Sequence, residues 1–207
     1  VHPRRVTTPS DLLARELQRD GSRPFITWYD VATGARVELS VATTANWVAK
    51  AAGYLADELI ILPGDPVLIE PALHWITAVL LLAIWTVGGD AETNPAAGGE
   101  RFEVALDGMG VALSRMVAAY PDVFAPIEPS GADLVANAPG DLPPGARLLT
   151  TLPLDKGAGI GWGLLAPLAV GGSVVYVVGA DEVADIATSE RATHAVGLDV
   201  PGLPRLC

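Results

Sequence analysis

The spacing of apolar residues along the chain alternates between a helical and a strand-like period. In the segment SVATTANWVAKAAGYLADELI, one face of a predicted helix collects Ala45, Val48, Ala52, Leu55 and Leu59. A short continuous apolar run, VLI, follows Pro63 and Gly64, and such runs are typical of parallel strands buried on both faces.

The same patterns predict further elements along the chain. Strands are predicted in PFITWYDVATGARVELS (a hairpin turning at residues 32–34), RFEVALDG, RLLTTLPL and GSVVYVV. Helices are predicted in TTPSDLLARELQRD (with Ser10 as N-cap), residues 74–87, MGVALSRMVAAY, WGLLAPLAV and once near the C-terminus. Residues 121–147 are rich in proline and glycine and predict an irregular connection, with one short strand at best near ADLVA.

The order of these elements predicts an α/β fold with a mostly parallel sheet flanked by helices. We expect a single domain over residues 1–207. Its parts would be a first α/β unit over 10–120, the connection 121–147 and a second unit over 148–200.

Composition and charge exclude some classes of protein for this sequence. Half of the residues are hydrophobic, 18% are charged and the net charge is −11, so a buried core is expected and a nucleic-acid partner is not. The apolar segment 75–89 is shorter than the roughly 18 residues of a membrane span, and we interpret it as a helix buried on a sheet. The single cysteine, Cys207, and the absence of a signal-peptide pattern predict a cytoplasmic protein.

The glycine pattern in GAGIGWGLLAP has two possible interpretations, a dinucleotide-binding turn or a helix packed closely on a sheet. Gly161, Gly163 and Ala166 fit the spacing of a dinucleotide-binding turn. That turn directly follows a strand, whereas here LDKGA intervenes and Pro167 comes one residue after the motif. We therefore expect glycines that let a helix pack closely on a sheet, and no bound cofactor.

The stretch around these glycines, extended on both sides, matches the sequence pattern of an enzyme family more closely than it matches a dinucleotide-binding turn. LLTTLPLDKGAGIGWGLLAPLAVGGSVVYV resembles the segment after the phosphate loop in AMP-forming acyl-CoA synthetases and related adenylating enzymes. LPGDPVLIEPALHWITAVLLLAIWTVGG and VELSVATTANWVAKAAGYLADEL resemble, in the same order, earlier segments of those enzymes. The resemblance covers most of residues 10–200 and implies the N-terminal half of an adenylate-forming fold.

The resemblance also shows where the chain departs from the family. The phosphate loop, a Ser/Thr/Gly run ending near a lysine, would fall where this chain has NAPGDLPPGA, which has no Ser, Thr or Lys and has two consecutive prolines. The chain would end near the family's midpoint, so the parts that hold adenine, ribose and magnesium, and the domain with the catalytic lysine, would lie outside it. We expect no catalytic residue and no metal.

Four residues are candidates for a ligand site. Asp155 and Lys156 stand where the family has an aromatic residue and a histidine at its acyl pocket, followed by Gly157, and Trp162 could form a wall of the same pocket. The alternatives are a solvated strand end for the charged pair and a core position for Trp162.

Other polar residues have structural interpretations. We expect His74 to pack at a helix end, His194 to be structural and Lys50 to lie on a solvated helix face. Glu92, Glu100 and Glu103 predict an acidic rim rather than a metal site.

Three functions follow in order of preference. The first is a catalytically degenerate domain that acts by binding a protein partner or by forming a homo-oligomer, because apolar faces covered in the family would need a cover here. The second is a small-molecule-binding protein, with an acyl group, coenzyme A or a nucleotide as the ligand in part of the ancestral pocket. The third, an acyl-CoA synthetase-like enzyme, would need another chain to supply the missing groups.

Overall fold

The computed structural model describes residues 7–96, 102–104, 117, 119–179 and 183–206. Helix α5 has three parts, namely Ala158–Ile160, a π-helical turn at Gly161–Leu165, and Ala166–Ala169. The other elements in chain order are α1 (Pro9–Asp20), β1 (Pro24–Asp30), β2 (Ala35–Ser40), α2 (Val41–Asp57), β3 (Pro66–Ile69), α3 (Trp75–Val87), β4 (Asp90–Glu92), β5 (Phe102–Val104), α4 (Ala132–Ala136), β6 (Arg147–Thr150), β7 (Ser173–Val178), α6 (Ala184–Ser189), β8 (His194–Val196) and β9 (Arg205–Leu206).

The strands form two sheets. One has six strands in the order β2-β1-β7-β6-β8-β9, and the other has three strands in the order β4-β3-β5. Strands β1 and β2 form the predicted antiparallel hairpin, and every other neighbouring pair in the two sheets is parallel. The expected α/β class with a mostly parallel sheet flanked by helices is confirmed.

Helix α3 forms the centre of the main core. Every residue from Ile76 to Val87 is buried, and the helix contacts α1, α2, β1, β3 and β4. A helix that is apolar on all sides is stable only where every side is covered, which confirms the interpretation of this segment as a buried helix. Within the described ranges, no helix is long and apolar enough to cross a membrane.

The first turns of the helices show how local sequence fixes their starts. Ser40 caps α2, since its side chain accepts a hydrogen bond from the Thr43 amide. The predicted cap of α1 at Ser10 is wrong. Thr8 caps α1 in a reciprocal capping box with Asp11, because Pro9 occupies the first helical turn, where a missing N–H costs nothing.

Three further expectations are corrected or lie outside the described residues. ADLVA forms the short helix α4 rather than a strand. Lys50 is not on a solvated face, because its Nζ lies 3.0 Å from the Asp122 carboxylate and donates to the Tyr120 carbonyl. Most of the helix predicted in MGVALSRMVAAY lies outside the described residues. The division into units at 10–120, 121–147 and 148–200 stays a prediction.

Candidate functional site

The candidate ligand residues lie between the carboxyl end of β6 and the start of α5. The chain leaves β6 at Thr150 and passes β3, where the Leu154 amide donates to the Pro71 carbonyl at 3.0 Å. It then turns at Asp155. The Asp155 Oδ1 accepts from the Gly157 amide at 3.0 Å and from the Gly159 amide at 3.3 Å, so this carboxylate satisfies two otherwise unpaired donors at the start of α5.

Lys156 connects this turn to the smaller sheet. Its Nζ lies 3.4 Å from the Glu92 Oε2 and 3.5 Å from the Asp90 Oδ1, and its amide donates to the Thr93 hydroxyl at 3.0 Å. The backbone amide of Asn94, together with the Lys156 ammonium, holds the pKa of Glu92 below its ordinary value. The ammonium group therefore already faces two carboxylates.

The four candidates differ in burial. Asp155, Lys156 and Gly157 lie together at the turn, and Lys156 and Gly157 are exposed. Trp162 is 9% exposed and belongs to a separate core cluster that includes Leu142 and Leu148. A shared role of all four in ligand binding stays a prediction.

The glycine motif serves close packing. A Cβ on Gly161 would lie 3.1 Å from the Pro139 Cδ, and a Cβ on Gly163 would lie 3.0 Å from the Leu154 Cδ2. The Tyr176 hydroxyl of β7 donates to the Gly163 carbonyl at 2.8 Å, which fixes α5 on the six-stranded sheet. The helix starts eight positions after β6 ends, at Ala158 against Thr150, so the turn lacks the strand-to-helix geometry of a dinucleotide loop.

The segment at the expected place of the phosphate loop is packed against α5. Leu142 is 3% exposed and shares a core cluster with Trp162. The Gly145 amide donates to the Val170 carbonyl at 3.0 Å, and the Ala146 amide donates to the Pro143 carbonyl at 3.1 Å. These contacts use backbone donors of the segment within the fold, whereas a phosphate loop directs its amides at a ligand.

The histidines have structural positions. His74 caps α3, since its Nδ1 accepts from the Ile76 amide at 3.0 Å, and its ring lies 4.5 Å from the Trp28 ring. Burial lowers the pKa of His74, so the ring is neutral at pH 7. His194 begins β8, and its Nδ1 lies 2.9 Å from the hydroxyl of the preceding residue, Thr193. Both positions agree with the structural interpretations from the sequence.

The predicted acidic rim is only partly described. Glu92 ends β4, whereas Glu100 and the side chain of Glu103 lie outside the described residues. In the part of the chain that the structure describes, no three His, Cys, Asp or Glu side chains are grouped so that they could hold a metal ion.

A buried ionic network escaped the sequence analysis. The Glu190 carboxylate accepts hydrogen bonds from Tyr29, Arg147 and Arg36, and its side chain is 9% exposed. Arg147 also donates to the Thr27 hydroxyl at 2.9 Å. Tyr29 and Glu190 are 161 positions apart in sequence, so no local pattern could have indicated the contact.

An apolar groove lies on the surface between α1 and α2. Its volume is about 250 Å³. Its lining includes the small side chains of Ala14, Ala45 and Ala49, together with Leu17, which is 41% exposed. The segment after Pro121 also lines the groove, and its Val123 is 82% exposed. The groove thus combines a hollow with two protruding apolar side chains.

Solved structures show the same fold in the N-terminal part of acyl- and aryl-CoA ligases. An anthranilate CoA ligase, AuaEII, in complex with anthranoyl-AMP matches with a TM-score of 0.73 and 13% identity, over 93% of this chain and 49% of that one. The inhibitor-bound N-terminal domain of FACL13 from Mycobacterium tuberculosis gives 0.74 and 13%, over 92% and 62%. Apo MatB from Rhodopseudomonas palustris gives 0.70 and 17%, over 92% and 49%.

These structures define the class of the fold and confirm the resemblance seen in the sequence. The chain has the fold of the N-terminal half of adenylate-forming enzymes, and it spans about half the length of two of the three structures.

A curated protein is more similar in sequence. A TIGR03089 family protein from Mycobacterium tuberculosis is 43% identical over 97 residues, which are 44% of this chain and 40% of that protein. No protein-family model matches the chain.

Proposed function

We propose that this domain is a catalytically degenerate relative of adenylate-forming enzymes that acts through self-association. The observation that carries the proposal is the apolar groove between α1 and α2, which offers a hollow and protruding side chains on one surface. Exposed apolar side chains beside an apolar hollow occur at sites of protein–protein contact, and this arrangement is why we place the contact here.

The packed loop before β6 supports the degenerate part of the proposal. Phosphoryl chemistry on a nucleotide needs amides and cationic side chains that surround the phosphates. The loop NAPGDLPPGA contributes no lysine or hydroxyl, and Leu142 and Pro139 pack against α5. An anionic substrate at this loop would therefore lack groups that stabilise the transition state.

A second copy of the chain is the occupant that best fits the groove. The alanines at 14, 45 and 49 leave a hollow, and Val123 of one copy has a size and polarity that suit the hollow of the other. In a two-fold dimer the same surface contributes both the protrusion and the hollow. The charged pair at its border, Lys50 and Asp122, is neutral overall, so contact there does not add to the repulsion expected from a net charge of −11.

Sedimentation velocity over a range of concentrations tests the proposal. The natural chain should form a dimer, and Leu17→Glu or Val123→Glu should dissociate it, because each places a charge in an apolar contact. Val31→Glu is the matched control, since Val31 is 44% exposed at the tip of the β1–β2 hairpin. A monomer at every concentration, or equal dissociation by Val31→Glu, would overturn the proposal.

Small-molecule binding at Asp155, Lys156 and Gly157 is the second candidate function. The exposed position of this turn at the carboxyl end of β6 favours it, because ligands of open α/β sheets bind at that edge. Thermal unfolding with ATP, AMP, coenzyme A and acyl-CoAs is the test. A ligand at about 100 times its dissociation constant stabilises the folded state by roughly 2.7 kcal/mol. No shift in the midpoint with any of these compounds would remove this candidate.

We also propose the cellular compartment in which the domain acts. A sequence with a single cysteine has no disulfide framework of its own and suits a reducing environment. We place the domain in the cytoplasm on that basis, and activity as an acyl-CoA synthetase-like enzyme would require another chain to supply the phosphate-binding groups.

A further inference from the structure

A basic cavity of about 530 Å³ lies at the amino-terminal edge of the six-stranded sheet. Arg15, Glu16 and Arg19 of α1 form one wall, and the residues around Leu142 and Val170 form the others. These last two residues precede β6 and β7, so the cavity is at the opposite end of the strands from Asp155 and Lys156. It is also separate from the apolar groove, which lies on another side of α1.

Three guanidinium groups share the Glu16 carboxylate; those of Arg15 and Arg19 line the cavity, and the third belongs to Arg23. The Glu16 side chain is 2% exposed, and its oxygens lie 3.1 Å from the Arg15 Nε, 3.4 Å from the Arg23 Nη2 and 3.6 Å from the Arg19 Nη1. One negative charge cannot balance three positive charges. The cluster therefore keeps an excess of positive charge within a chain whose net charge is −11.

The fold uses only some of the donors in the cluster. Arg15 donates to the Ala169 carbonyl at 2.8 Å, and Arg23 donates to the Gly172 and Pro24 carbonyls. The Arg19 side chain is 65% exposed, and the ion pair with Glu16 is its one polar contact among the described residues. A guanidinium carries five N–H donors, so Arg15 and Arg19, which both line the cavity, together retain several donors that the fold does not use.

Apart from the shared glutamate, the described acidic side chains nearby do not pair with Arg15 or Arg19. The Ser22 hydrogen bond and, more weakly, the charge of Arg23 lower the pKa of Asp20, so Asp20 offsets part of the charge of Arg23. The Asp20 carboxylate accepts from the Ser22 hydroxyl at 2.7 Å and from the Ser22 amide at 3.1 Å. Asp141 belongs to the loop that lines the cavity, and it forms no ion pair with Arg15, Arg19 or Arg23.

The Arg15 position is held by the buried Glu16 and by the end of α5. The Arg15 guanidinium is fixed through two different nitrogens, one on Glu16 and one on the Ala169 carbonyl. Gly171, at φ +64°, lies directly against the Arg19 Nη1 and the Glu16 Oε2, where a Cβ would overlap them. Groups arranged before a ligand arrives lose less conformational entropy on binding.

We propose that this cavity binds a phosphate dianion, held between the guanidinium groups of Arg15 and Arg19. Paired guanidinium donors match the oxygens of a phosphate, and charge-assisted hydrogen bonds of this kind are about twice as strong as neutral ones. The cavity volume falls within the range of small-ligand sites, roughly 300–1,000 Å³. The apolar walls at Leu142 and Val170 leave room for an uncharged group attached to the phosphate.

Isothermal titration of the full chain with inorganic phosphate and with glycerol 3-phosphate, at low ionic strength, tests the proposal. Arg19→Gln should weaken binding about tenfold or more, as loss of a hydrogen bond to a charged group implies. Arg191→Gln is the control with the same change in net charge. Arg191 is exposed and follows α6, which packs on Val175 and Val177 of β7, whereas α1 shares a core with Val174 and Tyr176 on the opposite face of the sheet. The affinity of Arg191→Gln should stay within about a factor of two of the natural chain.

The outcomes separate the possible sources of the phosphate. Tighter binding of the ester indicates a phosphate monoester, and tighter binding of the free ion indicates inorganic phosphate. The absence of saturable binding, or equal weakening by Arg19→Gln and Arg191→Gln, would overturn the proposal. Because Arg19 is mostly exposed, circular dichroism should show an unchanged fold in Arg19→Gln, so that loss of binding is not loss of structure.

Discussion

The carboxylate of Asp155 accepts a hydrogen bond from the backbone amide of Gly159 at 3.3 Å, and so holds the first turn of α5. We expect Asp155→Ala to lower the free energy of unfolding by about 1 kcal/mol, the usual net contribution of a side-chain hydrogen bond. Lys156→Ala is the neighbouring control and should cost less than about 0.5 kcal/mol, because its ion pairs are exposed to solvent. Urea unfolding of both variants measures the difference. Equal costs would show that this hydrogen bond does not stabilise the turn.

A second prediction concerns the close approach of α5 to the chain before it. A Cβ on Gly159 would overlap the carbonyl oxygen of Pro153, and a backbone atom cannot swing aside. Gly159→Ala should therefore destabilise the fold by about 3 kcal/mol, at the upper end of overpacking costs. Gly140→Ala is the control, since no atom lies within 4 Å of a Cβ there. Thermal unfolding of both variants measures the effect, and a neutral Gly159→Ala would contradict the packing described for α5.

A third prediction concerns the pH dependence of stability. Burial alone would raise the pKa of Glu190, but hydrogen bonds from Tyr29, Arg147 and Arg36 outweigh it and hold the pKa below its ordinary value of 4.5. A lowered pKa in the folded state stabilises the protein above the unfolded-state pKa, and this contribution is lost as the pH falls through the folded-state pKa.

Glu190→Gln should thus cost about 1.5 kcal/mol near pH 7, because the hydrogen bonds from Arg147 and Arg36 lose their charged acceptor and Arg36 is itself 42% exposed. The cost should shrink as the pH falls from 4.5, the ordinary pKa, through the lowered folded-state pKa, at which the natural carboxyl of the folded protein becomes protonated. Urea unfolding at several pH values tests this, and a cost that does not vary with pH would refute the charged role of Glu190. Glu38→Gln is a control, since Glu38 also pairs with Arg36 but is 38% exposed.

A fourth prediction concerns the pKa of Glu92. The amide of Asn94 and the Lys156 ammonium both lower it, so Lys156→Gln should raise it partway towards its ordinary value. Titration of the Glu92 carboxyl followed by NMR measures the change. An unchanged pKa would mean that Lys156 does not face Glu92 in solution.

Local patterns predicted those parts of the fold that local physics determines. The uniformly apolar segment from Ile76 to Val87 indicated a buried helix, and the turn at residues 32–34 indicated a hairpin. The cap of α1 was misplaced by two residues, because Pro9 suits the first turn and leaves Thr8 as the cap. The helix at Ala132–Ala136 was missed because a single turn among prolines and glycines has no periodicity.

The contacts that form the basic cavity and the apolar groove could not be predicted from the sequence. The basic cavity joins Arg15 to the carbonyl of Ala169, 154 positions away. The apolar groove similarly needs Val123 to lie across from Leu17, which only the path of residues 120–131 over the helices determines. Such contacts depend on tertiary packing, and no local spacing encodes them.

The measurement that tests self-association most directly is the distance between spin labels at position 127 in two copies of the chain. Cys207→Ser removes the natural thiol, and Ile127→Cys places one label on an exposed residue beside the groove, next to its lining residue Pro126, without replacing a residue of the proposed contact. Helices that pack across a two-fold axis approach to about 8–10 Å, so pulsed dipolar spectroscopy should give a label separation under roughly 30 Å. Val31→Cys with the same label is the control, and sedimentation gives the concentration at which it is a dimer. If the label beside the groove shows no dipolar coupling at that concentration, the dimer does not form through this groove.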